Sequence, residues 1–159
     1  MLLMLEDNAE RVRRFAEALR TIDPALPLLV WRDARAMVRE VGPHLSSARV
    51  ISLDHDLEAP PGAPDPGDGL EVAKFLVSQP AVRPVIIHSS NGQRSTWMAG
   101  EFELAGWPCW QVAPLGEDWV EVDWRRLVRR LLRRAAGMSR SRGTTMRNSA
   151  RAENRSDSL

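Results

Sequence analysis

The sequence predicts an α/β fold, a doubly wound five-stranded parallel sheet with helices on both faces. Three observations lead there. Short apolar runs of strand length alternate five times with segments of helical periodicity, a pattern that parallel β-α units produce. The chain has 159 residues, enough for one domain with a substantial core and too few for two ordinary ones. Polar and ionisable residues gather just after three of the apolar runs, as they do where such a sheet presents the carboxyl ends of its strands to a ligand.

Leu2 to Leu5 is the first strand, and Ala9 to Arg20 is amphipathic, with Val12, Phe15, Ala16 and Leu19 at helical spacing. Leu28 to Trp31 is the second strand, and Asp33 suits the N-cap of a helix carrying Ala36, Met37 and Val41. Val50 to Leu53 is the third. A Pro/Gly-rich loop from Ala59 to Asp68 follows it, and Asp68-Gly69 turns into a helix that runs to about Ser78. Val85 to His88 is the fourth strand, with a helix from about Arg94 to Leu104 behind it. Trp110 to Val112 is the fifth, and Val122 to Ala136 a closing helix. The α/β domain is therefore expected over 1–136, and no internal repeat is visible.

Charge divides the chain unevenly. Residues 1–124 carry 11 Lys+Arg against 19 Asp+Glu, a net of −8, whereas 125–159 carry 11 Arg against 2 acids, a net of +9. Arg125, Arg126, Arg129, Arg130, Arg133 and Arg134 fit a solvated helix face. The stretch 137–159 is Ser, Arg, Thr and Asn with little to bury, and it reads as a basic disordered tail. Clustered arginines also attract RNA or another polyanion through counterion release. Cys109 is the single cysteine, so no intrachain disulfide forms. With no secretory leader pattern and no apolar run near the roughly 20 residues a membrane helix needs, a soluble, cytoplasmic protein with no membrane partner is expected.

The stretch ISLDHDL at residues 51–57 delivers Asp54, His55 and Asp56 at the tip of the third strand. Glu6, Asp7 and Asn8 follow the first strand, and His88, Ser89, Ser90 and Asn91 follow the fourth. All three groups fall at one edge of the expected sheet. LLMLEDNAERV resembles the opening of a response-regulator receiver domain, and PGDGLEVAKFL resembles the segment after its phosphoacceptor aspartate. That resemblance, covering about 1–136, implies a receiver/flavodoxin-like sheet, aligns Asp54 with the phosphoacceptor and aligns Ser89 with the receiver Ser/Thr after strand four. Receivers follow strand five with Lys-Pro, whereas this chain has Ala113-Pro114. LDHD, the following G-D-G, and IHSSN with Met98 ten residues after His88 resemble more specifically the cyclic-phosphate processing branch of receiver-like domains. That resemblance implies a pocket that combines the receiver's acids with histidines.

The residues themselves support chemistry of that kind. Glu6, Asp7 and Asp54 are hard oxygen ligands suited to Mg²⁺ or Mn²⁺, and three clustered carboxylates call for a cation to offset their repulsion. Capping and dipole compensation of the first helix account for part of this acidity, although Asn8 alone would cap it. His55 and His88 suit proton transfer near neutral pH, with Asp56 orienting an imidazole or adding a metal ligand. Each histidine alone could equally be a core or hydrogen-bonding residue, and Asp56 an Asx turn. Ser89, Ser90 and Asn91 suit a phosphate site before a helix, or ordinary N-capping. Trp97 is a candidate stacking surface for RNA bases, whereas Trp107, Trp110, Trp119 and Trp124 suit anchoring of the chain end. The expected function is metal-assisted hydrolysis of a cyclic phosphate, such as an RNA 2′,3′-cyclic end or a cyclic nucleotide. The alternative is a non-enzymatic receiver-like signalling or interaction module.

Overall fold

A computed structural model of the chain describes residues 1–135. The expected basic tail over 137–159 lies outside them. Five parallel strands form one sheet: β1 (Leu2–Leu5), β2 (Leu28–Trp31), β3 (Val50–Leu53), β4 (Val85–Ile87) and β5 (Cys109–Gln111), in the order β2-β1-β3-β4-β5. Every pairing is parallel, with Leu3 opposite both Leu29 and Ile51, Leu53 opposite Ile87, and Ile86 opposite Trp110. This is the flavodoxin-like order, and its switch point lies between β1 and β3.

Helices cover both faces because the inner strands are apolar on both. Leu2 and Met4 face one cluster and Leu3 and Leu5 the other, and all four are fully buried. The first cluster takes Phe15 and Leu19 from α1 (Ala9–Arg20), together with Leu127, Val128, Leu131 and Leu132 from a helix over 125–135, α5. The second takes side chains from α2 (Ala34–Glu40), α3 (Gly69–Val77) and α4 (Gly92–Leu104).

Caps fix where the helices begin. Asn8, Asp33, Asp68 and Asn91 each accept a hydrogen bond from the backbone N–H three residues on. Asn91 therefore starts α4 at Gly92, two residues before the periodicity does. A π-helical turn over Val120–Trp124 precedes α5, with Trp124 N–H donating to Trp119 O at 3.0 Å. The five-residue step lets Trp119 and Trp124 both enter the first cluster. Trp107 is buried in the second, and the tryptophans around β5 anchor the chain end as their spacing suggests. Among the described residues no helix is long and apolar enough to cross a membrane.

Candidate functional site

The three polar groups meet at the carboxyl edge, over β1, β3 and β4. Backbone hydrogen bonds extend the ladder one residue beyond each strand and so fix the first residue of each group. Glu6 N–H donates to Trp31 O (2.9 Å), Asp54 N–H to Leu5 O (3.0 Å) and His88 N–H to Leu53 O (2.9 Å). Glu6 is fully buried and Asp54 nearly so, and Asp7 is half-buried beside them. Glu6, Asp7 and Asp54 each offer an oxygen, and the three oxygens lie within 4.8 Å of one another.

Sequence reasoning missed the residue that ties these acids together. Arg11 Nη2 lies 2.8 Å from Glu6 Oε1, 2.9 Å from Asp54 Oδ2 and 3.6 Å from Asp7 Oδ1. A partial signal was available, because Arg11 sits in the first turn of α1, just after the Glu6-Asp7 pair. The second oxygens of Asp54 and Asp7 are turned toward backbone. Asp54 Oδ1 accepts His55 N–H (2.7 Å), and Asp7 Oδ2 accepts Glu58 N–H (2.7 Å). Glu6 Oε1 also accepts Asn8 N–H (2.9 Å).

His88 sits behind Glu6, not in the open pocket. It is buried between Phe15 (ring centroids 5.0 Å apart) and Trp119 (6.1 Å). Trp124 Nε1 donates to Ser52 Oγ at 2.9 Å, and Ser52 Oγ lies 2.9 Å from His88 Nδ1. Ser52 Oγ thus links Trp124 Nε1 to the His88 ring, whose Nε2 faces Glu6 Oε2 at 3.4 Å. Ser52, the one polar residue in β3, signalled this chain of contacts, but only the fold identifies its partners.

His55 follows Asp54 directly. Its Nδ1 is 2.7 Å from Asp56 Oδ1, its Nε2 is 3.7 Å from Asp68 Oδ2, and Nε2 has no hydrogen-bond partner. Asp56 is exposed and Asp68 half-buried, so the ring is buried beneath two carboxylates that solvent reaches. Gly69 N–H donates to His55 O (3.0 Å), which seats α3 directly against this strand tip.

Ser89 Oγ accepts Asn91 N–H (3.2 Å), and Asn91 Oδ1 caps α4 through Arg94 N–H (3.2 Å). Ser90 is exposed. Ser89, Ser90 and Gly92 line a depression of about 180 Å³ that reaches Ala113 and Pro114. A second cleft, of about 310 Å³, opens beside Asp7 and is walled by Arg32, Asp33, Glu58 and the loop prolines. Trp97 is 45% exposed with the Arg94 guanidinium 4.5 Å over its ring.

Electrostatics differ between the two buried acids. Burial pushes the Glu6 carboxyl up, but the facing His88 ring, the Arg11 guanidinium and the Asn8 N–H outweigh it, and Glu6 is held below its ordinary range. Asp54 is pushed above its ordinary range, first by burial and also by Glu6, against the partial relief that His88, Arg11 and the His55 N–H give. The cluster fits a hard divalent cation. Its donors are all carboxylate oxygens, and buried Glu6 Oε2 and Asp7 Oδ1 have no hydrogen-bond partner.

The fold is similar to those of receiver domains of known structure. They include the response-regulator receiver domain from Rhodospirillum rubrum (17% identity, 85% of this chain and 93% of that chain, TM-score 0.60). The Mn²⁺-bound form of response regulator Rcp1 is also similar (19% identity, 76% and 86% of the two chains, TM-score 0.55). So is a chain of the CheX-CheY-BeF3-Mg²⁺ complex from Borrelia burgdorferi (15%, 80% and 86%, TM-score 0.58). At such identities the likeness shows the fold alone. No curated protein matches the sequence. The model of the cyclic-phosphate processing receiver domain matches residues 1–103, which include every residue of the acidic pocket and both histidines beside it, and the chain belongs to that family.

Proposed function

We propose that this receiver-like domain is a metal-assisted phosphoesterase that hydrolyses a cyclic phosphate, such as the 2′,3′-cyclic end of an RNA or a cyclic nucleotide. The observation that carries the reading is His55. It follows Asp54 directly, Asp56 holds its Nδ1 at 2.7 Å, and its Nε2 is left without a partner. An acyl-phosphate receiver has no use for such a pair, and Ala113 stands where a receiver supplies lysine.

Hydrolysis of a cyclic phosphodiester adds water to phosphorus and breaks one phosphorus–oxygen bond, and the departing oxygen takes up a proton. Mg²⁺ or Mn²⁺ held by Glu6, Asp7 and Asp54 would withdraw charge from the phosphate oxygens. Asp56 fixes the His55 ring so that Nε2 is the atom that exchanges a proton. His88, enclosed behind Glu6, keeps that carboxylate oriented, and Ser52 and Trp124 keep His88 oriented in turn. The Ser90 hydroxyl, with Ser89 and Asn91 at the start of α4, supplies donors for a non-bridging phosphate oxygen. The arginines of α5 favour a polyanionic substrate such as RNA.

The test is turnover of a panel of cyclic phosphates with Mg²⁺ or Mn²⁺. His55→Ala should lower turnover by roughly 10²–10⁴-fold while folding and cation binding persist. A second reading, a signalling module, draws on the position of Asp54 at the tip of β3. No turnover with either cation, together with stable labelling of Asp54 by acetyl phosphate, would establish that reading and overturn the enzymatic one.

A further inference from the structure

We infer that Arg11 is the pocket's resident cation, and that its salt bridges and a divalent ion are mutually exclusive occupants of one position. The inference rests on the reading of Glu6, Asp7 and Asp54 as metal ligands. Backbone N–H groups hold one oxygen of Asp54 and one of Asp7. The second oxygen of each turns toward the same atom, Arg11 Nη2, at 2.9 and 3.6 Å, and Glu6 Oε1 meets that atom at 2.8 Å. The three carboxylates thus converge on a single nitrogen.

A divalent ion placed among them would draw on the Asp54 and Asp7 oxygens that now face Arg11, with Glu6 Oε2, which has no hydrogen-bond partner, open to it. Mg²⁺ bonds oxygen at about 2.0–2.1 Å and so spaces two opposed ligands by about 4.2 Å at most. The nitrogen lies 2.9 Å from Asp54 Oδ2 and 3.6 Å from Asp7 Oδ1, so an ion that bonds those two oxygens takes the nitrogen's place. Electrostatics points the same way, because a guanidinium and a dication repel each other within one cluster.

Arg11 is also held in a way that permits departure. Its contacts to the three acids all run through Nη2, Nε has no partner, and the side chain is 31% exposed. A forked carboxylate–guanidinium pair would use two nitrogens and bind more rigidly. One of the pocket's three carboxylate charges is thereby offset by a residue that can swing toward solvent when an ion arrives. Arg11 sets how much free cation is needed to fill the site.

The experiment compares Mn²⁺ binding by wild type, Arg11→Met and Arg11→Gln, read by calorimetry and by the electron paramagnetic resonance of free Mn²⁺. Glutamine provides a polar replacement should the methionine variant fold poorly. Both variants should bind Mn²⁺ roughly 10- to 100-fold more tightly than wild type, the equivalent of the charge-assisted hydrogen bond an incoming ion no longer has to break. Their metal-free melting temperatures should fall, and the deficit should shrink as Mn²⁺ is added. Equal affinities in wild type and variants overturn the role of Arg11 and leave the metal reading intact. Binding by the variants alone supports mutual exclusion and overturns metal use by the wild type. Absence of binding in all three overturns both.

Discussion

Gly69 is where the packing of α3 bears most directly on the site, and Gly69→Ala tests how tight that packing is. A Cβ at this position would lie 2.2 Å from the Asp54 carbonyl oxygen, 2.9 Å from His55 Cα and 2.9 Å from Met98 Cε. Met98 can move its terminal methyl, but the other two neighbours are backbone. Ordinary contact begins at 3.4 Å, so α3 and the tip of β3 must separate by about 1.2 Å along that line. The same separation strains the Gly69 N–H to His55 O bond, now 3.0 Å. Overpacking of this kind costs about 3 kcal/mol where backbone cannot yield. For a chain of this length that lowers the melting temperature by about 6–12 °C. The opposing effect is known in sign, because alanine restricts the unfolded chain more than glycine and stabilises by about 0.4–1 kcal/mol where the backbone accepts it without strain. A loosely packed α3 would therefore show a gain, and a tight one a loss. Scanning calorimetry gives the answer, and a second readout is whether Mn²⁺ still raises the melting temperature, since Asp54 must shift. A melting temperature at or above wild type would refute the close approach and the account of why glycine stands here.

The buried acids should respond oppositely when their charge is removed. Glu6 is held below its ordinary range, so its ionised form stabilises the fold above the unfolded-state value, and that contribution is lost as pH falls through the lower folded value. Glu6→Gln should lower metal-free stability at pH 7. Asp54 is raised, so its stabilising form is the protonated one, present below the unfolded-state value and lost as pH rises through the folded value. Asp54→Asn should raise metal-free stability at pH 7 and abolish stabilisation by Mg²⁺; chemical denaturation across pH checks both, and shifts of the same sign would contradict the assignment. Ser52→Ala leaves Trp124 Nε1 and His88 Nδ1 buried without their partner, and a loss of about 2 kcal/mol or more is expected; an unchanged urea midpoint would count against the network. Replacing Arg130, Arg133 and Arg134 with Glu should weaken binding of single-stranded RNA at low salt and flatten its salt dependence, by about 0.7 in log–log slope for each phosphate no longer neutralised. Identical binding isotherms would remove α5 from RNA recognition.

The parallel sheet and the helix placement were legible because local patterns and the global fold agree. The β1 and β3 runs are apolar on both faces, as a parallel sheet covered on both sides demands, and four capping side chains mark helix starts within a residue or two. Legibility fell where the backbone departs from simple periods. Asn91 extends α4 toward the strand, and the π-helical turn at Val120–Trp124 has no period that an amphipathic pattern could reveal.

The candidate site divides along a different line. Residues at strand tips were foreseeable, because sequence position fixes which edge they occupy. What sequence could not assign was direction. His55 and His88 both end apolar runs beside carboxylates, yet one is held by Asp56 under acids that solvent reaches and the other is sealed between Phe15 and Trp119. The difference arises from α1 and the π-helical turn, which bring Phe15, Trp119 and Trp124 over the β4 tip from 73 residues before it and from 31 and 36 after it. Two histidines that look interchangeable in the chain therefore have different surroundings in the fold: His55 Nδ1 is held by Asp56 with Nε2 3.7 Å from Asp68 Oδ2, whereas His88 Nε2 faces Glu6 Oε2 at 3.4 Å.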